Sequence, residues 1–120
     1  MGVKYMAMTE NNILNDKQLG ALEEIKRDIK NKFEVEKIIL YGSVVRGEMD
    51  EESDIDLLII TEEKLQREVR HEITDVVFEV NLNFGTNYST LVVDKNSWEK
   101  GPYSVLPIFE EIEKEGVVCE

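Results

Sequence analysis

Residues 41–60, YGSVVRGEMDEESDIDLLII, gather side chains that can manage phosphate and a divalent cation together. Gly42 permits a tight turn and lets a phosphate come close to the backbone. Ser43 opens a short helical turn, where free N–H groups and a hydroxyl can hold phosphate oxygens. After ten more residues, Asp54 and Asp56 stand at the mouth of the most apolar run in the chain. Two apart on a strand, they project on one face with Cα atoms about 6.5–7 Å apart, given a rise of about 3.3 Å per residue. Carboxylates at that spacing can share two metal ions about 3.5–4 Å apart. Mg²⁺ takes such oxygens together with those of a triphosphate. A Gly-Ser turn or an Asp-x-Asp strand end is bland by itself. The two in succession read as one site. Arg46 can contact a phosphate or brace the loop against a nearby acid, and the sequence leaves both open.

The flanking elements must bring these residues together. Leu19, Leu22, Ile25, Ile29 and Phe33 recur at helical spacing behind Asp16, which reads as the N-cap. Residues 37–41 (KIILY) form a buried strand ending at Gly42, and residues 55–60 (IDLLII) a central one. A helix is expected from Thr61 to about Phe84, with Leu65, Val69, Ile73, Val76 and Val80 on one face and Gly85 as its stop. Residues 88–93 (YSTLVV) form the next strand. A turn-rich stretch, a helix near Pro107 and a short apolar piece at Val117–Val118 complete the chain. Residues 1–15 read as a flexible arm and 16–120 as a single domain. The fold class is α/β (α+β), a small mixed sheet covered by helices.

Composition narrows the function. With 120 residues, of which 42% are hydrophobic and 33% charged, the chain suits one globular core. Its 14 Lys and Arg against 26 Asp and Glu give a net charge of −12, the wrong sign for holding a nucleic acid backbone unaided. No direct DNA binding is expected. The lone Cys119 cannot form an intrachain disulfide, and beside a fraying terminus it is a poor catalytic thiol. No apolar run approaches the length of a membrane span, so the expected location is cytoplasmic.

Gly42-Ser43, ten residues and Asp54-x-Asp56 resemble the signature of the DNA polymerase β-type nucleotidyltransferases. Arg46-Gly47, Ser53, Trp98 and residues 112–117 (IEKEGV) resemble their minimal nucleotidyltransferase branch, a likeness running over about residues 18–118. The resemblance implies a polymerase β-like fold. It implies Asp54 and Asp56 as catalytic Mg²⁺ ligands in a two-metal site, and Gly42, Ser43 and Arg46 as nucleotide-binding residues. It further implies transfer of NMP from an NTP, AMP from ATP in the leading case, to a hydroxyl of a partner protein. The partner would be a HEPN-domain ribonuclease toxin, with this chain as its antitoxin.

One position departs from that family. Its catalytic members carry a third carboxylate on the next strand, where this chain offers Ser89 or Thr90; Asp94 and Glu79 are possible substitutes elsewhere. Two rival readings follow: a nucleotide- or partner-binding module with weakened catalysis, and a small-molecule enzyme akin to the aminoglycoside nucleotidyltransferases. Residues 48–52 (EMDEE) read as a solvated loop and His71 as an exposed bystander. Trp98 and Tyr103 read as packing over the sheet, with base stacking the sharper alternative.

Overall fold

The computed structural model describes residues 4–5, 13–48 and 53–119. Its strands are β1 (Lys4–Tyr5), β2 (Val35–Tyr41), β3 (Ile55–Thr61), β4 (Tyr88–Asp94) and β5 (Val117–Val118), and its helices α1 (Asp16–Lys32), α2 (Arg67–Phe84), α3 (Lys95–Glu99) and α4 (Pro107–Glu115). The strands form one five-stranded mixed sheet in the order β1-β5-β2-β3-β4. β3 lies antiparallel to β2 and parallel to β4, with α2 as the crossover to β4. The mixed sheet and helical cover agree with the expected fold class.

Alternation along β3 sorts the core. Ile55, Leu57 and Ile59 face the cluster that holds Ile25, Ile29, Ile73 and Val77, so α1 and α2 cover that side. Leu58 and Ile60 face the other cluster with Ile39, Trp98 and Ile112, beneath α3 and α4. Asp56 belongs to the second set by alternation. The two helical layers therefore have different duties: α1 and α2 seal the larger core, while α3 and α4 share their face with the acid pair.

Several boundaries differ from the sequence reading. Asn15, not Asp16, caps α1: its side chain accepts from the Gln18 N–H at 2.8 Å, and the Gln18 side chain accepts from the Asn15 N–H at 2.9 Å. This reciprocal capping box starts the helix one residue earlier than an N-cap at Asp16 would. β3 runs on through Thr61, which pairs with Val35 on one side and Asp94 on the other. Pairing on both edges wins over the helix-forming residues that follow, so α2 starts at Arg67. Of residues 1–15, Lys4–Tyr5 pair in parallel with β5 and Leu14 is buried, while 6–12 lie outside the described residues. Cys119 does not fray. It is buried, and its N–H donates to the Ile38 carbonyl at 2.8 Å.

The start of β4 is fixed by the end of α2. Gly85 leaves the helix at φ 69°, a left-handed conformation that suits glycine. Asn81 then ties the returning chain: its amide donates to the Tyr88 carbonyl at 3.0 Å, and its oxygen accepts from the Tyr88 N–H and the Thr86 hydroxyl, each at 2.9 Å. Asn81→Ala leaves these groups unpaired, and Thr86 is buried. It should cost about 2–3 kcal/mol of unfolding free energy in urea titration. A loss below about 0.5 kcal/mol would show that water replaces the network.

Candidate functional site

The antiparallel register pairs Tyr41 with Asp56, so the end of β2 lies beside the start of β3. The chain leaves β2 at Gly42 with φ 83° and enters a 3₁₀ turn at Gly42–Val44. The Val45 and Arg46 N–H groups close it on the carbonyls of Gly42 and Ser43, both at 3.2 Å. The leading N–H groups of such a turn have no partner inside it. A Cβ at Gly42 would stand 2.5 Å from Asp56 Oδ2. Gly42 is thus required twice, by its backbone conformation and by the carboxylate pressed against it.

Asp54 is exposed and Asp56 half-buried. Burial pushes the Asp56 carboxyl above its ordinary range, and the negative charges of Asp54 and Glu111 push it further; Arg46 opposes them. The Tyr41 hydroxyl is pushed up to about 12 by burial, then by Asp56 and Glu111, and so keeps its proton. Among the described residues no ion pair reaches Asp54 or Asp56. Two carboxylates with no ion pair of their own among the described residues, one of them beside a cradle that a methyl group would fill, fit a divalent cation with attached phosphate oxygens.

Arg46 takes the bracing arrangement. Its Nε meets Glu48 at 3.1 Å, and its Nη1 meets Glu115 at 3.0 Å and Glu111 at 3.9 Å. The hydrogen bonds to Glu48 and Glu115 hold the guanidinium firmly in its charged form. Glu111 and Glu115 are the residues that sequence reasoning missed. They lie one helical turn apart on α4, flanking Ile112, which is buried under the same sheet face as Asp56. Their spacing shows a helix, yet nothing local says which turn that helix covers.

The third-carboxylate question narrows to one residue. Ser89 pairs with Asp56 across β3 and β4 and shares its face, whereas Thr90 pairs with Leu57 and turns to the other. Asp94 pairs with Thr61 at the far end of the strands, about 16 Å away at about 3.3 Å per residue. There it caps α3, accepting from the Ser97 N–H at 2.9 Å. Glu79 rides on α2, over the opposite face. Neither stands in for the strand acid, and no ready-made cluster of three or more metal-ligating side chains exists among the described residues.

The remaining candidates fall away. Trp98 is only 2% exposed and packs on Phe109 and Tyr103 with ring centroids 5.0 and 6.1 Å away, so it is core rather than a stacking platform. His71 is exposed on α2, away from the acid pair. Burial lifts the Cys119 thiol to about 11, which removes it as a nucleophile. Glu48 is exposed, and residues 49–52 of the acidic loop lie outside the described residues. No described helix is long and apolar enough to cross a membrane.

Known proteins resemble this chain in sequence and in fold. A family model described as a nucleotidyltransferase domain matches residues 22–117. The chain is 32% identical over 76 residues to "Putative protein adenylyltransferase MJ0141" of Methanocaldococcus jannaschii, a match covering 62% of this chain and 77% of that one. It is 30% identical over 82 residues to "Putative protein adenylyltransferase MJ0604" of the same organism, covering 67% and 77%. Among solved structures, a toxin–antitoxin complex with AMP-PNP shares the fold at TM-score 0.57 and 17% identity, covering 87% of this chain and 72% of that one. A Sulfolobus solfataricus crystal structure described as a putative nucleotidyltransferase shares it at TM-score 0.55 and 18% identity, covering 93% and 90%.

The burial of Asp56 and the negative charge around it have a measurable cost. Its folded-state pKa lies above the unfolded value of about 3.9. The ionised carboxylate therefore destabilises the fold in full above the folded value, and not at all below the unfolded one. Asp56→Asn should melt about 1–3 °C higher than the wild type at pH 7 in EDTA, and the gap should close as pH falls toward about 4. A lower melting temperature at pH 7 would mean that the carboxylate supports the fold by a contact outweighing this repulsion.

Proposed function

Because the chain belongs to the nucleotidyltransferase domain family, we propose that this nucleotidyltransferase transfers AMP from ATP to a hydroxyl of a partner protein. Asp54 and Asp56 are the metal ligands in this reading, and the Gly42–Ser43 turn holds the triphosphate. The observation that carries it is the close approach of the Asp56 carboxylate to Gly42, which sets the cation ligand beside the turn that would hold phosphate. Bound at the acid pair, Mg²⁺ supplies electrostatic stabilisation of the charge on the transferring phosphoryl group. The acceptor oxygen attacks the α-phosphorus, the bond to pyrophosphate breaks, and the hydroxyl proton leaves to a base or to water. Tyr41, protonated beside Asp56, is a hydrogen-bond donor at the rim of this site.

Support for ATP and a protein acceptor comes from the names of the relatives, and from the AMP-PNP held in a structure of similar fold. That structure is a toxin–antitoxin complex, which favours an antitoxin role; a HEPN-type toxin as partner and a cytoplasmic setting rest on the sequence resemblance alone. The net charge of −12 speaks against a nucleic acid acceptor. A second reading, a binding module with little turnover, is favoured by one observation: Ser89 occupies the strand position beside Asp56 where an acid would complete the metal site.

Incubation with Mg²⁺, α-labelled ATP and a HEPN-type partner decides between them. Wild type should label the partner, and Asp54→Asn with Asp56→Asn should abolish labelling, a loss of at least about 10²-fold. If ATP raises the melting temperature yet neither wild type nor Ser89→Asp labels any acceptor, the binding module replaces the enzyme.

A further inference from the structure

Resting on the proposed metal site, we infer that Glu111 of α4 is the third acid of that site, supplied from a helix because β4 offers only Ser89. The placement is geometric. Asp56 touches Gly42, and the turn beginning at Gly42 carries Arg46, whose Nη1 lies 3.9 Å from Glu111. Ile112, next to Glu111, is fully buried against Ile39, Leu58 and Val118 on the face that Asp56 shares. Glu111 is thereby anchored on the sheet face that Tyr41 and Asp56 share. Ser89, the β4 residue paired with Asp56, is exposed and carries no charge.

Glu111 is not yet gathered with Asp54 and Asp56 around a common point. Arg46 holds it, along with Glu115 at the shorter distance of 3.0 Å. A cation at the acid pair competes with the guanidinium for Glu111, while Glu115 can keep Arg46 and the helix in place. A triphosphate brings further negative charge toward Arg46 and weakens its hold on Glu111. The two carboxylates of α4 thus differ in role: Glu115 braces, and Glu111 changes partner from guanidinium to metal.

Mn²⁺ titrated into the full chain with AMP-PNP, followed by electron paramagnetic resonance, separates these roles without any need for turnover. Glu111→Gln should weaken Mn²⁺ binding about tenfold, whereas Glu115→Gln and the exposed neighbour Glu110→Gln should leave it within about twofold. Ser89→Asp added to Glu111→Gln should restore the affinity by supplying the acid from the strand. If Glu115→Gln, which loses the closer ion pair, weakens binding as much as Glu111→Gln, then bracing alone explains the effect and the inference fails. It fails equally if Glu111→Gln matches Glu110→Gln while Asp56→Asn abolishes binding. Wild-type Mn²⁺ affinity in Asp56→Asn would overturn the metal site itself.

Discussion

The contact between Gly42 and Asp56 is the constraint on which the rest of the site depends. The turn and the strand-borne carboxylate can close on each other only because no side chain stands at Gly42, where a Cβ would lie 2.5 Å from Asp56 Oδ2. The Tyr41–Asp56 pairing sets the approach, and it follows from a β2–β3 ladder whose buried Ile38, Leu40, Leu57 and Ile59 admit one register. A slip of one residue would turn Asp56 into the α1–α2 core and Leu57 toward the acids. Burial of the apolar set thus positions the polar one, and the glycine is what allows the two chains to close.

Electrostatics give this site an asymmetry. The chain carries a net charge of −12, and three carboxylates converge on the Tyr41–Arg46 turn while one guanidinium serves them. Without a cation the arrangement is frustrated: burial first, then the charges of Asp54 and Glu111, push the Asp56 carboxyl toward its protonated form. Proteins keep such frustration where a ligand relieves it. The opposite end of β3 and β4 contrasts with it. There Asp94 is satisfied by the Ser97 N–H, and its carboxyl is held below the usual range even though burial works against that. One end of the sheet is closed by capping, and the other is open to charge.

How legible this was in the sequence depended on the range of the interaction. Gly42 and Asp56 act through neighbours on adjoining strands, and period-two alternation with punctuation was enough to place them at one end of the sheet, although Asp54 lies just before β3 rather than on it. The strand content near 37–41, 55–60 and 88–93 was readable for the same reason, and a capping box at Asn15 hid only one residue behind Asp16. The start of α2 was not readable, because the competition at Thr61 is settled by pairing to Val35 and Asp94, far off in sequence. Ser89 and Thr90 stayed equivalent until the parallel register with β3 distinguished them. Glu111 and Glu115 were invisible as site residues, since only the packing of Ile112 decides which face α4 covers. Cys119 looked like a loose end because a two-residue strand, β5, leaves almost no periodicity to detect.

The most direct test of a joined cation and nucleotide site at the Gly42–Asp56 contact is paramagnetic broadening of backbone amide resonances by Mn²⁺ in the presence of AMP-PNP. The expected result is broadening centred on Gly42, Ser43, Asp54, Asp56 and Ser89, with Thr61, Asp94 and Ser97 sharp at the far end of the strands, where about 16 Å of sheet separates them from the acids. Broadening centred on Asp94 and Ser97, or spread evenly over the acidic surface, would contradict it.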